Sequence, residues 1–164
     1  MRTLTGLRWY DSAAGSGKQE RWPLVEQTAI VVTSVDSHRL GRLLDSNLYT
    51  YMPGVDSLRR ELSRARIVSP TEIPPDVVTM NSTVRFINDS SGSDHELSLV
   101  YPNAAGSPGT VSVLAPIGSA LLGLSVGQSV SWQITGGREL KLRILGIVQQ
   151  PEASGVYHQR LDAL

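Results

Sequence analysis

A proline-rich segment divides this 164-residue chain into two parts with different hydrophobic periods. Residues 69–75 include Pro70, Pro74 and Pro75, and each proline lacks an N–H donor and restricts the residue before it, so this segment cannot be helical. Apolar residues before it recur at helical spacing, and those after it alternate as in strands. The chain is therefore predicted to be α+β, with helices first and a sheet second.

Two short helices are predicted over residues 29–68. Ser34 or Asp36 is available as the N-cap of the first helix, and residues 46–54 form the turn between the two. Each helix has about three turns, so the antiparallel helical hairpin extends about 15–20 Å. The apolar faces consist of Leu40, Leu43 and Leu44 in the first helix and Val55, Leu58, Leu62 and Ala65 in the second.

Two β-hairpins and one short helix are predicted over residues 69–155. Val84 and Phe86 begin the first hairpin, whose turn is 88–92, and alternating residues of 130–144 form the second around Gly136 and Gly137. Between them, 111–114 is a strand, and a helix starts at Pro116 and ends at Gly123. We expect an antiparallel sheet with one helix, a flexible leader over 1–28 and a tail over 156–164.

Composition excludes several classes of function. Fifteen basic and fifteen acidic residues balance, which gives no overall attraction to phosphate backbones or anionic membranes, so no direct nucleic-acid binding is expected. Cysteine is absent, which removes disulfides, thiolate metal sites and cysteine nucleophiles. No apolar run approaches the roughly 20 residues of a membrane helix, so we expect no membrane partner and a cytoplasmic location.

No residue pattern indicates catalysis, a cofactor or a metal. Residues 118–125 have the spacing of a phosphate-binding loop, but Leu124 stands where lysine is needed, and tight turns explain the glycines better. The histidines His38, His95 and His158 lie far apart and have no metal-ligand spacing. We therefore expect a protein that is not an enzyme, without catalytic residues, cofactor or metal site.

Two surface features of the helical hairpin admit alternative interpretations. Tyr49, Tyr51 and Met52 in the turn resemble interface anchors, and equally they can fold back as a cap on the hairpin. Residues 59–66 contain four arginines, with Arg60 and Arg64 on one helical face. That face is either simply solvated or contacts an acidic or phosphate-bearing partner.

Several motifs in a fixed order resemble those of the Rnk family over residues 30–155. They are Ile73 to Ser82 (IPPDVVTMNS), Leu99 to Pro102 (LVYP), Ser112 to Gly123 (SVLAPIGSALLG) and Gln150 to Glu152 (QPE). Members of this family are known as regulators of nucleoside diphosphate kinase and share the C-terminal domain of the bacterial Gre transcript-cleavage factors. The resemblance implies that residues 69–155 have an FKBP-like fold.

The resemblance also implies a partner and a binding surface. Gre factors grip RNA polymerase at its secondary channel, and the matching positions here are Ser112, Ala115, Pro116 and Ile117, with Ala115 where Gre factors typically carry serine. Tyr49 and Tyr51 are further candidate contacts, because they are the aromatic residues of the hairpin turn. Gre factors also deliver acidic residues on a long helical hairpin to help hold a catalytic magnesium.

This chain lacks those acids. Residues 46–54 contain no Asp or Glu, and Asp45 and Asp56 only flank the turn. The resemblance therefore implies a regulator that binds RNA polymerase near the secondary channel without stimulating transcript cleavage. The alternative, suggested by the family name, is a regulator of nucleoside diphosphate kinase that acts outside the polymerase. Prolyl isomerase activity is not expected, since the chain has one phenylalanine and no aromatic set to line such a pocket.

Overall fold

The computed structural model of the chain describes residues 29–134 and 138–157. Along this part of the chain the order is β1 (Val31–Thr33), α1 (Ser34–Asp45), α2 (Val55–Ser63), β2 (Arg66–Val68), β3 (Thr83–Asn88), β4 (Ser93–Val100), β5 (Thr110–Ser112), α3 (Pro116–Leu121), β6 (Ser129–Ile134) and β7 (Arg138–Gln149). Short 3₁₀ turns occur at Asn47–Tyr49, Pro102–Ala104 and Glu152–Ser154. The predicted leader over 1–28, the turn at Gly136 and Gly137, and tail residues 158–164 lie outside the described residues.

The two helices predicted before the proline-rich segment are present. In α1, Leu40, Leu43 and Leu44 are buried, and in α2 Val55 and Leu58 are buried while Leu62 is half-buried. Ala65 was predicted on the same face but lies beyond the end of α2 at Ser63, because the helix is about one turn shorter than expected. The N-cap of α1 is neither Ser34 nor Asp36 but Thr33, whose hydroxyl accepts a hydrogen bond from the Asp36 N–H at 3.0 Å. The two predicted N-caps lie one and three residues after the observed one, because α1 begins directly at the end of β1.

A two-stranded sheet flanks these helices and was not predicted. Strands β1 and β2 pair in parallel, with Val32 opposite Ile67. Each strand has only three residues, which is too short for an alternating pattern to stand out from the neighbouring helices.

The main sheet has five strands in the order β5-β4-β3-β7-β6. Both predicted hairpins are confirmed, with β3 antiparallel to β4 and β6 antiparallel to β7. The sheet is not antiparallel throughout, because β5 pairs in parallel with β4, Leu99 lying opposite Val111. The loop 101–109 carries the chain back along β4, so β5 enters the sheet in the same direction.

One hydrophobic cluster joins the helices and the sheet. It includes Leu40 of α1, Leu58 of α2, Phe86 of β3, Leu121 of α3 and Ile144 of β7, all almost completely buried. Residues on both sides of the proline-rich segment therefore share one core. The division of the chain into a helical appendage over 29–68 and a domain over 69–155 stays a prediction.

The glycines of the sequence 118–125 have structural roles in this core. A Cβ at Gly118 would overlap the Ser112 carbonyl, so only glycine lets α3 approach β5 this closely. Gly123 has a φ of +76° and lies against Ile30. Tight turns and close packing account for both residues, as predicted.

Candidate interaction surface

The hairpin turn and the start of α3 lie next to each other. We call residues 46–54 the tip and residues 112–117 the α3 loop. The N–H of Gly54 at the end of the tip donates a hydrogen bond of 2.9 Å to the carbonyl oxygen of Leu114 in the α3 loop. Both Gly54 and Leu114 are buried. The fold thus brings the backbone three residues after Tyr51 against the backbone two residues before Pro116.

Within the tip, the side chains divide into two groups. Tyr49 is half-buried and packs against the hydrophobic core. Tyr51 is 98% exposed, Leu48 is 83% exposed and Met52 is 39% exposed. Tyr49 therefore matches the capping interpretation, whereas Tyr51 extends into solvent together with Leu48, which the sequence did not single out as a site residue.

The α3 loop is shaped by its own hydrogen bonds. The Ser112 hydroxyl accepts from the Leu114 N–H at 3.1 Å, and the Ser112 carbonyl accepts from the Ala115 N–H at 3.0 Å. Pro116 occupies the first turn of α3, where its missing N–H costs nothing, and is exposed. Ile117 is half-buried and packs on the core. Of the four predicted residues, Pro116 is the most accessible, and Ser112 sets the course of the backbone.

The carboxylates that flank the tip are not arranged to hold a metal. Asp45 is exposed and lies 3.7 Å from Arg59, which also donates to the carbonyl oxygen of Leu44. Asp56 is exposed in the first turn of α2. Over residues 29–134 and 138–157, no group of three or more His, Asp or Glu side chains could hold a metal ion.

Within residues 59–66, Arg59 and Arg64 have side-chain partners in the protein. Arg64 forms an ion pair of 2.5 Å with Glu61, whose side chain is only 4% exposed. Arg59 joins the end of α1 to α2 through its contacts with Asp45 and Leu44. Part of this basic segment therefore stabilises the helical pair, a role that differs from both interpretations given above.

A buried carboxyl group outside this surface escaped the sequence analysis. Asp36 in the first turn of α1 accepts a hydrogen bond from the Met80 N–H at 3.2 Å and another from the Tyr101 hydroxyl at 3.4 Å. Burial, together with the nearby charge of Glu152, raises the pKa of Asp36 to about 6. Burial and the charge of Asp36 also raise the pKa of Tyr101. The burial of Asp36 could not be predicted from sequence, because an acid in the first turn of a helix is normally exposed.

Asp36 and Glu152 line a small pocket between α1, the turn after the proline-rich segment and the 3₁₀ turn near residue 152. Glu152 accepts a hydrogen bond of 2.7 Å from the Thr79 hydroxyl, and that hydroxyl lies 2.9 Å from the hydroxyl of Ser82. Thr79 and Ser82 are buried, so a substrate has no access to either hydroxyl. Val156 and Tyr157, at the end of the described chain, line this pocket opposite α1, and Thr79 and Ser82 offer no accessible nucleophile there.

Fold and surface together define a class of protein. The sequence of residues 65–149 matches the family "Transcription elongation factor, GreA/GreB, C-term", and residues 28–68 match "Rnk N-terminus". The chain thus combines a region similar to the C-terminal domain of the Gre factors with an N-terminal helical region that matches the Rnk family.

The relatives narrow this class. The "Regulator of nucleoside diphosphate kinase" of Escherichia coli K12 is 43% identical over 134 residues, which cover 81% of this chain and 98% of that protein. The chain belongs to this Rnk family. A "Transcription elongation factor GreA" of Thermodesulfovibrio yellowstonii is 28% identical over 65% of this chain and 73% of that protein.

A solved structure agrees with this placement. The "Prokaryotic transcription elongation factor GreA/GreB from Nitrosomonas europaea" is 47% identical and superposes with a TM-score of 0.61, covering 73% of this chain and 98% of that one. The names of these relatives denote regulators and factors, not catalysts. None of the helices within residues 29–134 and 138–157 is long and apolar enough to cross a membrane.

Proposed function

We propose that this chain is a non-catalytic regulator that binds RNA polymerase near the secondary channel and does not stimulate transcript cleavage. The observation that carries this proposal is the contact between Gly54 and Leu114, which places an acid-free hairpin tip beside the α3 loop of a Gre-type domain. Such a protein can occupy the binding position of a cleavage factor without supplying metal ligands. Action on the polymerase would place it in the cytoplasm.

The dimensions of the helical pair support the absence of cleavage activity. At 1.5 Å per residue, the 12 residues of α1 span about 18 Å and the 9 residues of α2 about 14 Å. A magnesium ion needs carboxylate oxygens within about 2.1 Å, and the tip carries no carboxylate. Both reach and ligand chemistry therefore argue for obstruction of the channel entrance.

The proposed contacts are Ser112, Ala115, Pro116 and Ile117 in the α3 loop with Tyr49 and Tyr51 in the tip. Pro116 and Tyr51 would touch the polymerase directly, because they are the exposed members of the two groups. Ser112, Ile117 and Tyr49 would hold those contacts in place through the core and the loop hydrogen bonds. We further propose that the sheet domain has the FKBP-like topology, without isomerase activity.

A binding and competition experiment tests this function. Purified chain is titrated onto core RNA polymerase and then challenged with a GreA protein, and the cleavage of backtracked transcripts is followed. We expect saturable binding, displacement by the GreA protein, inhibition of factor-stimulated cleavage and no cleavage by the chain alone. Cleavage stimulated by the pure chain, or the absence of polymerase binding, would overturn the proposal.

Variants of exposed residues locate the contact. Tyr51→Ser and Pro116→Ser should each weaken polymerase binding by about tenfold or more, as loss of an interface anchor does. Val148→Ser is the matched control, because it removes an apolar side chain that is 58% exposed on β7, outside the tip and the α3 loop. Equal effects of all three substitutions would contradict the assignment.

The second candidate function is regulation of nucleoside diphosphate kinase outside the polymerase. It is favoured by the name of the Escherichia coli relative, which is similar over 98% of its own length. The tagged chain, incubated with a native bacterial lysate, distinguishes the two. Our proposal expects polymerase subunits in the eluate, whereas recovery of the kinase alone would favour this second function.

A further inference from the structure

The tip and the α3 loop share an unusual chemical property. No Asp, Glu, Lys or Arg occurs in residues 46–54, and none occurs in residues 97–137, which include β5, the α3 loop and α3. The chain as a whole is 18% charged, so a stretch of this length without charge sets this part of the molecule apart. The α3 loop and the tip therefore adjoin as two uncharged segments.

Gly54 fixes these two segments relative to each other. Its φ of −86° and ψ of −5° are open to any residue, so backbone conformation does not require glycine here. The close approach does, because a Cβ at this position would overlap the carbonyl oxygen and carbon of Leu114. The Gly54 N–H also donates to that same oxygen. This buried backbone contact ties the last residue of the tip to the α3 loop.

We infer that the tip and the α3 loop form one rigid, uncharged interaction surface, with Gly54 as its positioning residue, that fits an uncharged protein surface. The inference rests on the proposed function and specifies the part of the polymerase that is recognised. That part must offer an apolar recess for Leu48 and Tyr51, which are 83% and 98% exposed, beside a flat contact for Pro116. The polymerase must offer the recess and the flat contact at the same time, separated by the distance between the tip and Pro116.

Charge decides between a protein and a phosphate-bearing partner. Nucleic acids and anionic membranes are bound through Lys and Arg, and each neutralised phosphate makes binding more sensitive to salt. Neither residues 46–54 nor residues 112–117 include a Lys or Arg. Protein interfaces have the opposite character at their centre, where charged residues are depleted and Tyr and Met are enriched. A protein surface is therefore the partner that the composition favours.

Salt dependence tests the chemistry of the partner. The affinity of the chain for core RNA polymerase is measured by fluorescence anisotropy between 50 and 300 mM KCl, a range that includes the Debye length of about 10 Å at about 100 mM salt. We expect a change of less than about threefold, since the central contact is uncharged. A loss of tenfold or more, or binding that RNA competes away, would overturn the inference.

A double-substitution cycle tests the role of Gly54. Tyr51→Ala should weaken polymerase binding about tenfold in the wild-type background but less than about threefold in the Gly54→Ala background, because a displaced tip no longer reaches its recess. Loss of foldedness alone would reduce the active fraction and leave the Tyr51 effect unchanged. A full Tyr51 effect in the Gly54→Ala protein would refute the positioning role.

Gly41→Ala is the matched control for this cycle. Gly41 lies in α1, and a Cβ there meets no atom within 4 Å. The tenfold effect of Tyr51→Ala should persist in the Gly41→Ala background. If it disappears there as well, glycine replacement in general, and not the contact with Leu114, is responsible.

Hydrogen exchange of the free chain separates failure of this inference from failure of the proposed function. We expect slow exchange of the Gly54 amide in wild type, and faster exchange in peptides covering 46–54 and 112–117 after Gly54→Ala but not after Gly41→Ala. A slow amide in a chain that binds no polymerase would overturn the proposed function and the partner, and leave the rigid surface standing. A rapidly exchanging Gly54 amide would refute the rigid surface whatever the chain binds.

Discussion

Replacing Asp36 with asparagine should change the pH dependence of folding. Asp36 is 5% exposed, and burial together with Glu152 raises its pKa from 3.8 to about 6. The Met80 N–H, Arg39 and the Thr33 hydroxyl partly oppose this rise. The folded chain therefore binds a proton at Asp36 more tightly than the unfolded chain does.

The sign and the size of the pH effect on the free energy of unfolding follow from this difference in proton affinity. Since the folded pKa is the higher one, stabilisation by the proton is complete below pH 3.8 and is lost as pH rises through about 6. The rise in the pKa of Asp36 from 3.8 to about 6 corresponds to about 3 kcal/mol, at about 1.4 kcal/mol for each tenfold change in proton affinity. Ionised Asp36 thus lowers the free energy of unfolding by roughly 3 kcal/mol at pH 7.5, relative to a carboxyl with an unshifted pKa.

The assay is urea unfolding of wild type and Asp36→Asn at several pH values between 4 and 7.5. The stability of the variant relative to wild type should increase by about 2.4 kcal/mol between pH 4 and pH 7.5, because about 0.6 kcal/mol of the total is already lost at pH 4. Loss of an acceptor for Met80 or Tyr101 adds an offset that does not vary with pH. Asp56→Asn, on the exposed side of α2, is the solvent-exposed control. A difference between Asp36→Asn and wild type that stays constant within about 0.5 kcal/mol over this range would refute the reasoning.

Three further substitutions probe other parts of the fold. Leu58→Ala in α2 should lower the free energy of unfolding by about 2–5 kcal/mol, and unfolding should remain a single transition because helices and sheet share one core. Unfolding is followed by circular dichroism and tryptophan fluorescence, and separate transitions for the helices and the sheet would contradict this. Gly41→Ala should raise the stability by about 0.5–1 kcal/mol in thermal unfolding, and a decrease would indicate a contact that the structure does not show. Tyr51→Ala should leave the stability within about 0.5 kcal/mol, since its side chain is 98% exposed, and a larger loss would mean that the tyrosine packs on the protein.

The sequence predicts the secondary structure well where hydrophobic period and turn chemistry agree. Both hairpins of the main sheet and the helix that starts at Pro116 follow from local patterns that the tertiary structure leaves unchanged. The parallel pairing of β5 does not follow, because it depends on how the loop 101–109 returns along β4. Local composition carries no information on that path.

The candidate surface could be predicted only in part. The motif around Ser112 and Pro116 and the aromatic residues of the tip are visible in the sequence, but their contact depends on a backbone hydrogen bond between Gly54 and Leu114. A glycine required by close approach looks the same in sequence as a glycine in any turn. Asp36 poses the same difficulty, since its burial results from Met80 and Tyr101, which lie 44 and 65 residues further along the chain.

The hydrogen bond between Gly54 and Leu114 restricts how the helical hairpin can change in length. Inserting one turn into both α1 and α2 would advance the end of the hairpin by about 5.4 Å, which is more than the 2.9 Å that separates the Gly54 nitrogen from the Leu114 oxygen. The inserted turn would move Gly54 away from Leu114 and leave the Leu114 carbonyl oxygen without its donor. A helical hairpin of this kind is therefore expected in one of two forms: short, with the Gly54–Leu114 hydrogen bond, or much longer, without it. A hairpin of intermediate length would lose the hydrogen bond without gaining much reach.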